Sequence, residues 1–213
     1  MKRIALAPLA VFGLLAAAST LFAVAWLRER RARSVFPASQ ASALLNPLRR
    51  LIQDPATLIE DCGIAPGERV LELGSGPGYF TPHAAAAAGP RGSIVCADLQ
   101  LAMLERLRAH LPGDAATLVR PIAADAARLP FADASFDRAF LVSMLGEVPD
   151  PARAVAELQR VLRPGGVVAF CETVNDPDYV REGDLRRLCW DAGLAFIARR
   201  RKPLGYVATF VRA

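Results

Sequence analysis

From Gly67 onward, short apolar runs alternate with helix-like stretches, and this rhythm restricts the fold more than any other feature of the 213-residue chain. Arg69 to Leu73, Ser93 to Ala97, Leu118 to Ile122, Arg138 to Val142 and Val167 to Glu172 read as strands. Between them, Tyr79 to Ala88, Gln100 to His110 and Ala152 to Leu162 carry helical spacing. Strands separated by helices of this length need crossover connections, so the sheet is mostly parallel and covered on both faces. A helix near Asp184 to Ala192 precedes two further strand-like runs, Phe196 to Arg200 and Tyr206 to Val211, joined through Lys202-Pro203-Leu204-Gly205. That link has no room for a crossover and predicts an antiparallel hairpin. The expected architecture is an open α/β sheet.

The chemistry enters at the end of the first strand, in Val70-Leu71-Glu72-Leu73-Gly74-Ser75-Gly76-Pro77-Gly78-Tyr79. Glycines at 74, 76 and 78 permit a tight turn and let a ligand approach the backbone where the next helix exposes its unpaired N–H groups. A dinucleotide site wants GxGxxG, but Tyr79 follows Gly78 and the spacing is GxGxG, which disfavours a pyrophosphate. Twenty residues on, the second strand ends in Asp98, placed to accept hydrogen bonds from ribose hydroxyls. Asp125 follows the third strand, in reach of an exocyclic amine such as that of adenine. Taken singly, each acidic residue is as readily a helix cap or a solvated loop residue. Together, in order and spacing, they mark a nucleoside site.

These motifs resemble the class I S-adenosylmethionine-dependent methyltransferases, in the branch called methyltransferase type 11. VLELGSGPGYF matches the family's first motif, and SIVCADLQLAMLERLR its acidic-ended second strand and helix. Ala124 to Phe131 with Ser135-Phe136-Asp137 matches the adenine-side loop, and Glu157 to Gly166, containing RVLRPGG, the lead into the fifth strand. The resemblance runs from about Asp54 to the C-terminus. It implies a Rossmann-like open seven-stranded sheet with an antiparallel last strand, and S-adenosyl-L-methionine as cofactor. It further implies that Glu72, Gly74, Ser75, Gly76 and Gly78 border the methionine moiety, that Asp98 holds the ribose and that Leu99 packs on the adenine. Asp125 with Ala126 would face the adenine amine, and Leu141 would close the pocket. Where many relatives carry a histidine after the fourth strand, this chain has Ser143-Met144-Leu145-Gly146-Glu147. Glu147 is therefore the candidate catalytic base, with Glu172, Asp176 and Tyr179 next. In the competing reading, Glu147 and Asp176 cap turns beside Pro149 and Pro177. His83 and His110 fall in helical segments and read as packing or surface residues. Methyl transfer from a sulfonium needs no metal, and the sequence shows no metal-ligand pattern. Cys62, Cys96, Cys171 and Cys189, widely spaced and without a CxxC, read as buried thiols. A nicotinamide-dependent oxidoreductase and a cofactor-binding scaffold without catalysis are the alternatives.

The chain has 26 basic against 21 acidic residues, but up to Arg33 there are six basic residues against Glu29 alone, which leaves 20 of each in the body. A neutral body offers no footprint for nucleic acid. Ile4 to Leu27 is free of charge for 24 residues and ends in Arg28-Glu29-Arg30-Arg31-Ala32-Arg33. Residues 1–33 are thus expected to be an uncleaved transmembrane anchor with a basic flank, giving a single-pass membrane protein whose catalytic domain is cytoplasmic. Residues 34–53 are expected to form a connector of one or two short amphipathic helices that lies on the membrane or, the preferred reading, caps the domain, with Leu44, Leu45, Leu48, Leu51 and Ile52 on its apolar side and Arg49-Arg50 opposite. The folded domain, 54–213, opens on Asp54 as helix cap, Pro55 as first helical residue and Gly63 as stop. An anchor beside the site favours a small lipophilic acceptor, such as a quinone precursor, a lipid headgroup or an apolar thiol, with Met144, Leu145, Val148 and Tyr179 as an apolar wall. The sequence does not specify the oligomeric state.

Overall fold

The computed structural model describes residues 35–213. Seven strands form one sheet in the order β3-β2-β1-β4-β5-β7-β6. They are β1 Arg69–Leu73, β2 Ser93–Asp98, β3 Val119–Ala123, β4 Phe136–Val142, β5 Leu162–Thr173, β6 Leu194–Lys202 and β7 Gly205–Arg212. The first five are parallel, and β7 runs antiparallel to both β5 and β6. The predicted hairpin forms across Pro203 and Leu204 alone.

Among the described residues, five helices of eight residues or more cover the sheet: α1 Pro55–Cys62, α2 Thr81–Ala88, α3 Leu101–His110, α4 Pro151–Val161 and α5 Glu182–Asp191. The starts of α1 and α4 follow from their capping chemistry. Asp54 accepts the Thr57 N–H, and Asp150 that of Arg153, each with proline as the first helical residue. Gly63 ends α1 in the left-handed region, at φ 66°. Because strand side chains alternate, the sheet has a core on each face. Leu71, Leu73, Leu141 and Phe170 meet Val155 and Leu158 of α4 and Leu185 of α5. On the other face Val70, Ile94, Cys96 and Phe140 meet Leu58, Ala84, Ala88 and Leu107. All four cysteines are free and buried.

Three expectations need correction. The fifth strand begins at Leu162, five residues earlier than predicted, because a bulge between Phe136 and Arg138 lets Phe136 pair with Leu162 ahead of the Pro164-Gly165-Gly166 segment. The second half of the connector departs from the expected facing, although Leu44 and Leu45 stay half-buried and Arg50 exposed. Its Pro47–Leu51 turn is a 3₁₀-helix, in which residues three apart lie in line, so Leu48 and Leu51 face outward together, 67% and 84% exposed. Arg49 turns inward, its guanidinium 4.7 Å from the Tyr79 ring centre and 5.1 Å from that of Phe80. The third correction concerns the membrane. No helix among the described residues is long and apolar enough to cross a bilayer. The run that carried the expectation of a single-pass protein, Ile4 to Leu27, lies outside those residues.

Candidate functional site

A cavity opens at the carboxyl ends of β1, β2 and β4, where an open parallel sheet offers strand termini and helix starts to a ligand. Of the sequence-predicted residues it brings together Glu72, Gly74, Ser75, Gly76, Asp98, Leu99, Asp125, Ala126 and Glu147, with Asp176 beside them. Gly78 and Leu141 lie elsewhere. A side chain at Gly78 would come within 3.0 Å of Leu107, so that glycine serves the packing of the turn on α3. Leu141 points into the core beneath α4, and its strand neighbours Phe140 and Val142 line the cavity instead. Of the expected apolar wall, Met144 and Val148 line the cavity, while Leu145 is fully buried and Tyr179 packs edge-on against Tyr206. Glu172 opens into a second cavity, under the connector. Neither histidine reaches either cavity.

The glycine turn is locked to the second strand. Asp98, 8% exposed, accepts the Gly76 N–H on one carboxylate oxygen at 2.8 Å and the Gln100 N–H on the other at 2.9 Å. Burial raises the Asp98 carboxyl, and these two donors oppose the rise. Gly74, at φ 72°, lets the Met144 side chain pass so closely that an added Cβ would lie 2.8 Å from Met144 Cγ. Glu72 is 2% exposed and accepts the Thr81 hydroxyl at 2.6 Å; burial pushes its carboxyl up to about 7.

The Ser143 to Glu147 loop forms the adjoining wall. Ser143 adopts φ 48°, unusual for a residue with a side chain, and shares a 3.1 Å hydrogen bond with the Thr173 hydroxyl. Only glycine fits at 146, where a Cβ would overlap the Asp178 carbonyl. Glu147 lies in the turn Leu145–Glu147, and burial pushes it up to about 7. Its Oε2 accepts the Phe36 N–H at 3.0 Å.

A further wall comes from the connector, which was expected to cap the domain but not to line the site. The connector supplies Val35, Phe36, Leu44 and Arg49 to the cavity. Besides Glu147, the Gln100 side chain holds it, donating to the Phe36 carbonyl at 2.7 Å and accepting the Ala38 N–H at 3.1 Å. Gln53 donates to Thr173 Oγ1 at 3.2 Å from the far end. No motif flags Gln100 or Phe36. The only available signal was Arg49, a charge between leucines.

The residues fit S-adenosylmethionine on an observation independent of resemblance: Ser75 Oγ, at the rim of the glycine turn, is buried without a hydrogen-bond partner. An unpaired buried hydroxyl is unfavourable by about 1–3 kcal/mol, so a polar ligand at the turn would relieve it. The methyltransferase domain family matches residues 71–170. A demethylmenaquinone methyltransferase of Clavibacter sepedonicus is 41% identical over 118 residues, 55% of this chain and 46% of the relative. A ubiquinone/menaquinone biosynthesis C-methyltransferase of Hahella chejuensis is 37% identical over 124 residues, 55% and 49% of the two. The chain thus spans about half the length of the curated relatives it matches. A solved S-adenosylmethionine-dependent methyltransferase from Aquifex aeolicus shares the fold at 20% identity with a TM-score of 0.78, over 84% of this chain and all of that one. These comparisons support the methyltransferase reading and S-adenosylmethionine as its cofactor, and give the nicotinamide alternative no support.

Proposed function

We propose that this chain is an S-adenosylmethionine-dependent methyltransferase acting on a small lipophilic acceptor of the quinone-precursor kind. The observation that carries the reading is the clamped glycine turn, with Asp98 beneath it and the unpartnered Ser75 hydroxyl at its rim. The acceptor class rests on the relatives, whose names specify menaquinone and ubiquinone precursors.

When bound, the cofactor supplies a methyl carbon on a sulfonium, an already activated leaving group. In this reading Asp98 receives the ribose hydroxyls on the lone pairs left by its backbone donors. Asp125, which also accepts the Ala127 N–H at 2.8 Å, faces the adenine amine, with Ala126 and the 60% exposed Leu99 beside the ring. Glu72, Gly74, Ser75 and Gly76 surround the amino-acid end. Met144, Val148 and Phe36 make the acceptor side apolar and exclude water from it, so orientation supplies most of the rate. Where the acceptor must lose a proton, Glu147, with a pKa near 7 at neutral pH, takes it.

Calorimetric titration with S-adenosylhomocysteine tests the cofactor side. Asp98→Ala should weaken binding by roughly 10- to 100-fold, the loss of hydrogen bonds to a charged acceptor. Incubation with isotope-labelled S-adenosylmethionine and a naphthohydroquinone lacking its ring methyl should yield a labelled product by mass spectrometry. Absence of both binding and label would remove the proposal.

A further inference from the structure

We infer that Arg49 is the anion-binding residue of the cavity, receiving a carboxylate or an ionised ring hydroxyl of a bound ligand at the mouth of the glycine turn. This deepens the methyltransferase reading and rests on it. The inward turn of the connector gives the first reason. A short segment that exposes Leu48 and Leu51 in order to bury a guanidinium forgoes apolar contacts that the opposite orientation would have given. The partners of Arg49 give the second. Its Nε donates to Gln53 Oε1 at 2.7 Å and its Nη1 to the Leu44 carbonyl at 3.1 Å, both neutral acceptors. Among the described residues Nη2 makes no hydrogen bond. Asp176, across the cavity, acts on the charge without forming an ion pair. Burial draws the Arg49 pKa below its ordinary value, the mark of a cation short of a counter-charge.

Position gives the third reason. The guanidinium lies over the ring of Tyr79, the residue directly after the glycine turn, and both line the same cavity as Gly74 and Glu147. The two rings and the acceptors Gln53 Oε1 and the Leu44 carbonyl hold the guanidinium in place and leave Nη2 for an oxyanion, an arrangement that suits arginine and not lysine. Two ligand groups have the required chemistry: the carboxylate of the cofactor's amino-acid end, and an acidic oxygen on the acceptor.

The test uses the full chain, Arg49→Gln and Arg49→Lys, with two matched probe pairs. The first pair is S-adenosylhomocysteine and its decarboxylated analogue. The second, titrated into protein saturated with S-adenosylhomocysteine, is 2-naphthoate and 2-methoxynaphthalene, with 2-naphthol between them. In Arg49→Gln the carboxylate-bearing member of one pair should lose about tenfold or more in affinity, the range for a charge-assisted hydrogen bond, while its partner without that anion holds. Loss in the first pair assigns the anion to the cofactor, and loss in the second to the acceptor. Arg49→Lys, which keeps the charge without the fork, should fall between wild type and Arg49→Gln. Binding of the probes that lack the anion shows that the variants are folded. If both members of each pair change equally, Arg49 is a packing residue and the proposal is overturned, with the methyltransferase reading intact. If wild type binds neither nucleoside, that reading fails and this proposal with it.

Discussion

The two sides of the cavity are built by different means. On the sheet side, Glu72, Asp98 and the glycine turn stand at the ends of parallel strands whose register is fixed by the backbone ladder and by cores on both faces. On the connector side, three short helical turns with little buried apolar surface are held by the side chains of Glu147, Gln100 and Thr173. Backbone ladders open only with the sheet, whereas individual side-chain hydrogen bonds contribute about 1 kcal/mol each and release locally. On the proposed function, topology sets the glycine-turn side that would hold the cofactor, while a handful of replaceable side chains holds the connector side. Relatives that share the first can therefore differ in the second.

Gly74→Val attacks the rigid side and should have the largest effect. It forces a β-branched residue to φ 72° with its Cβ 2.8 Å from Met144. Strain and overlap together should reduce S-adenosylhomocysteine affinity by about 100-fold by calorimetry. Near-normal binding would show that the turn yields, and would erase the contrast.

The next test sits where the two sides meet. Glu172, 2% exposed at the end of β5, accepts the Val180 N–H at 3.1 Å, and burial pushes it up to about 8 from an ordinary 4.5. Its folded pKa is raised, so the native chain keeps a proton that the unfolded chain releases from about pH 4.5 upward. The associated stability is fully present below that pH and is lost as the pH rises towards 8. Glu72 and Glu147 act in the same sense up to about 7. Thermal melts should therefore show falling stability from pH 5 to pH 8. Glu172→Gln should lessen the slope and be the more stable protein at pH 8, by up to about 3 kcal/mol. An unchanged slope would mean that solvent reaches this carboxyl.

Gln100→Ala should have the smallest effect and sharpens the comparison most. It removes the side-chain bonds to Phe36 and Ala38 and leaves the Gln100 N–H on Asp98. Stability should drop by only about 1–2 kcal/mol. Hydrogen exchange should accelerate at Phe36 and Ala38 while the amides of β1 and β2 keep their protection. The acceptor KM should rise with cofactor affinity retained. Equal acceleration on both sides would show that the two walls behave as one.

The same division explains what the sequence disclosed. Strand and helix periods, the caps at Asp54 and the Lys202 to Gly205 link are local signals, so the sheet and its hairpin were legible. The gathering of Glu72, Gly74, Gly76, Asp98 and Asp125 in one cavity follows from strand ends coming level in a parallel sheet. Gly78 and Leu141 escaped because their surroundings are set from a distance, by Leu107 of α3 and by α4. Strand alternation by itself already separates Leu141 from Phe140. The connector misled because an α-helical period was applied to a 3₁₀ turn, which puts Leu48 and Leu51 in line and leaves Arg49 to face inward. Gln100 gave no signal, since a glutamine reveals a clamp only once its partners, 62 and 64 residues upstream, are in place.

Those long spacings also impose an order in time. Phe36 is made 111 residues before Glu147, and Gln53 120 residues before Thr173. At about 5–20 residues per second, each interval lasts on the order of 10 s. The ribosome thus delivers the cavity's cover before Gln100, Glu147 and Thr173, the side chains that fasten it. A nascent chain stopped short of Glu147 has its glycine turn and lacks the carboxylate that fastens Phe36 over the cavity.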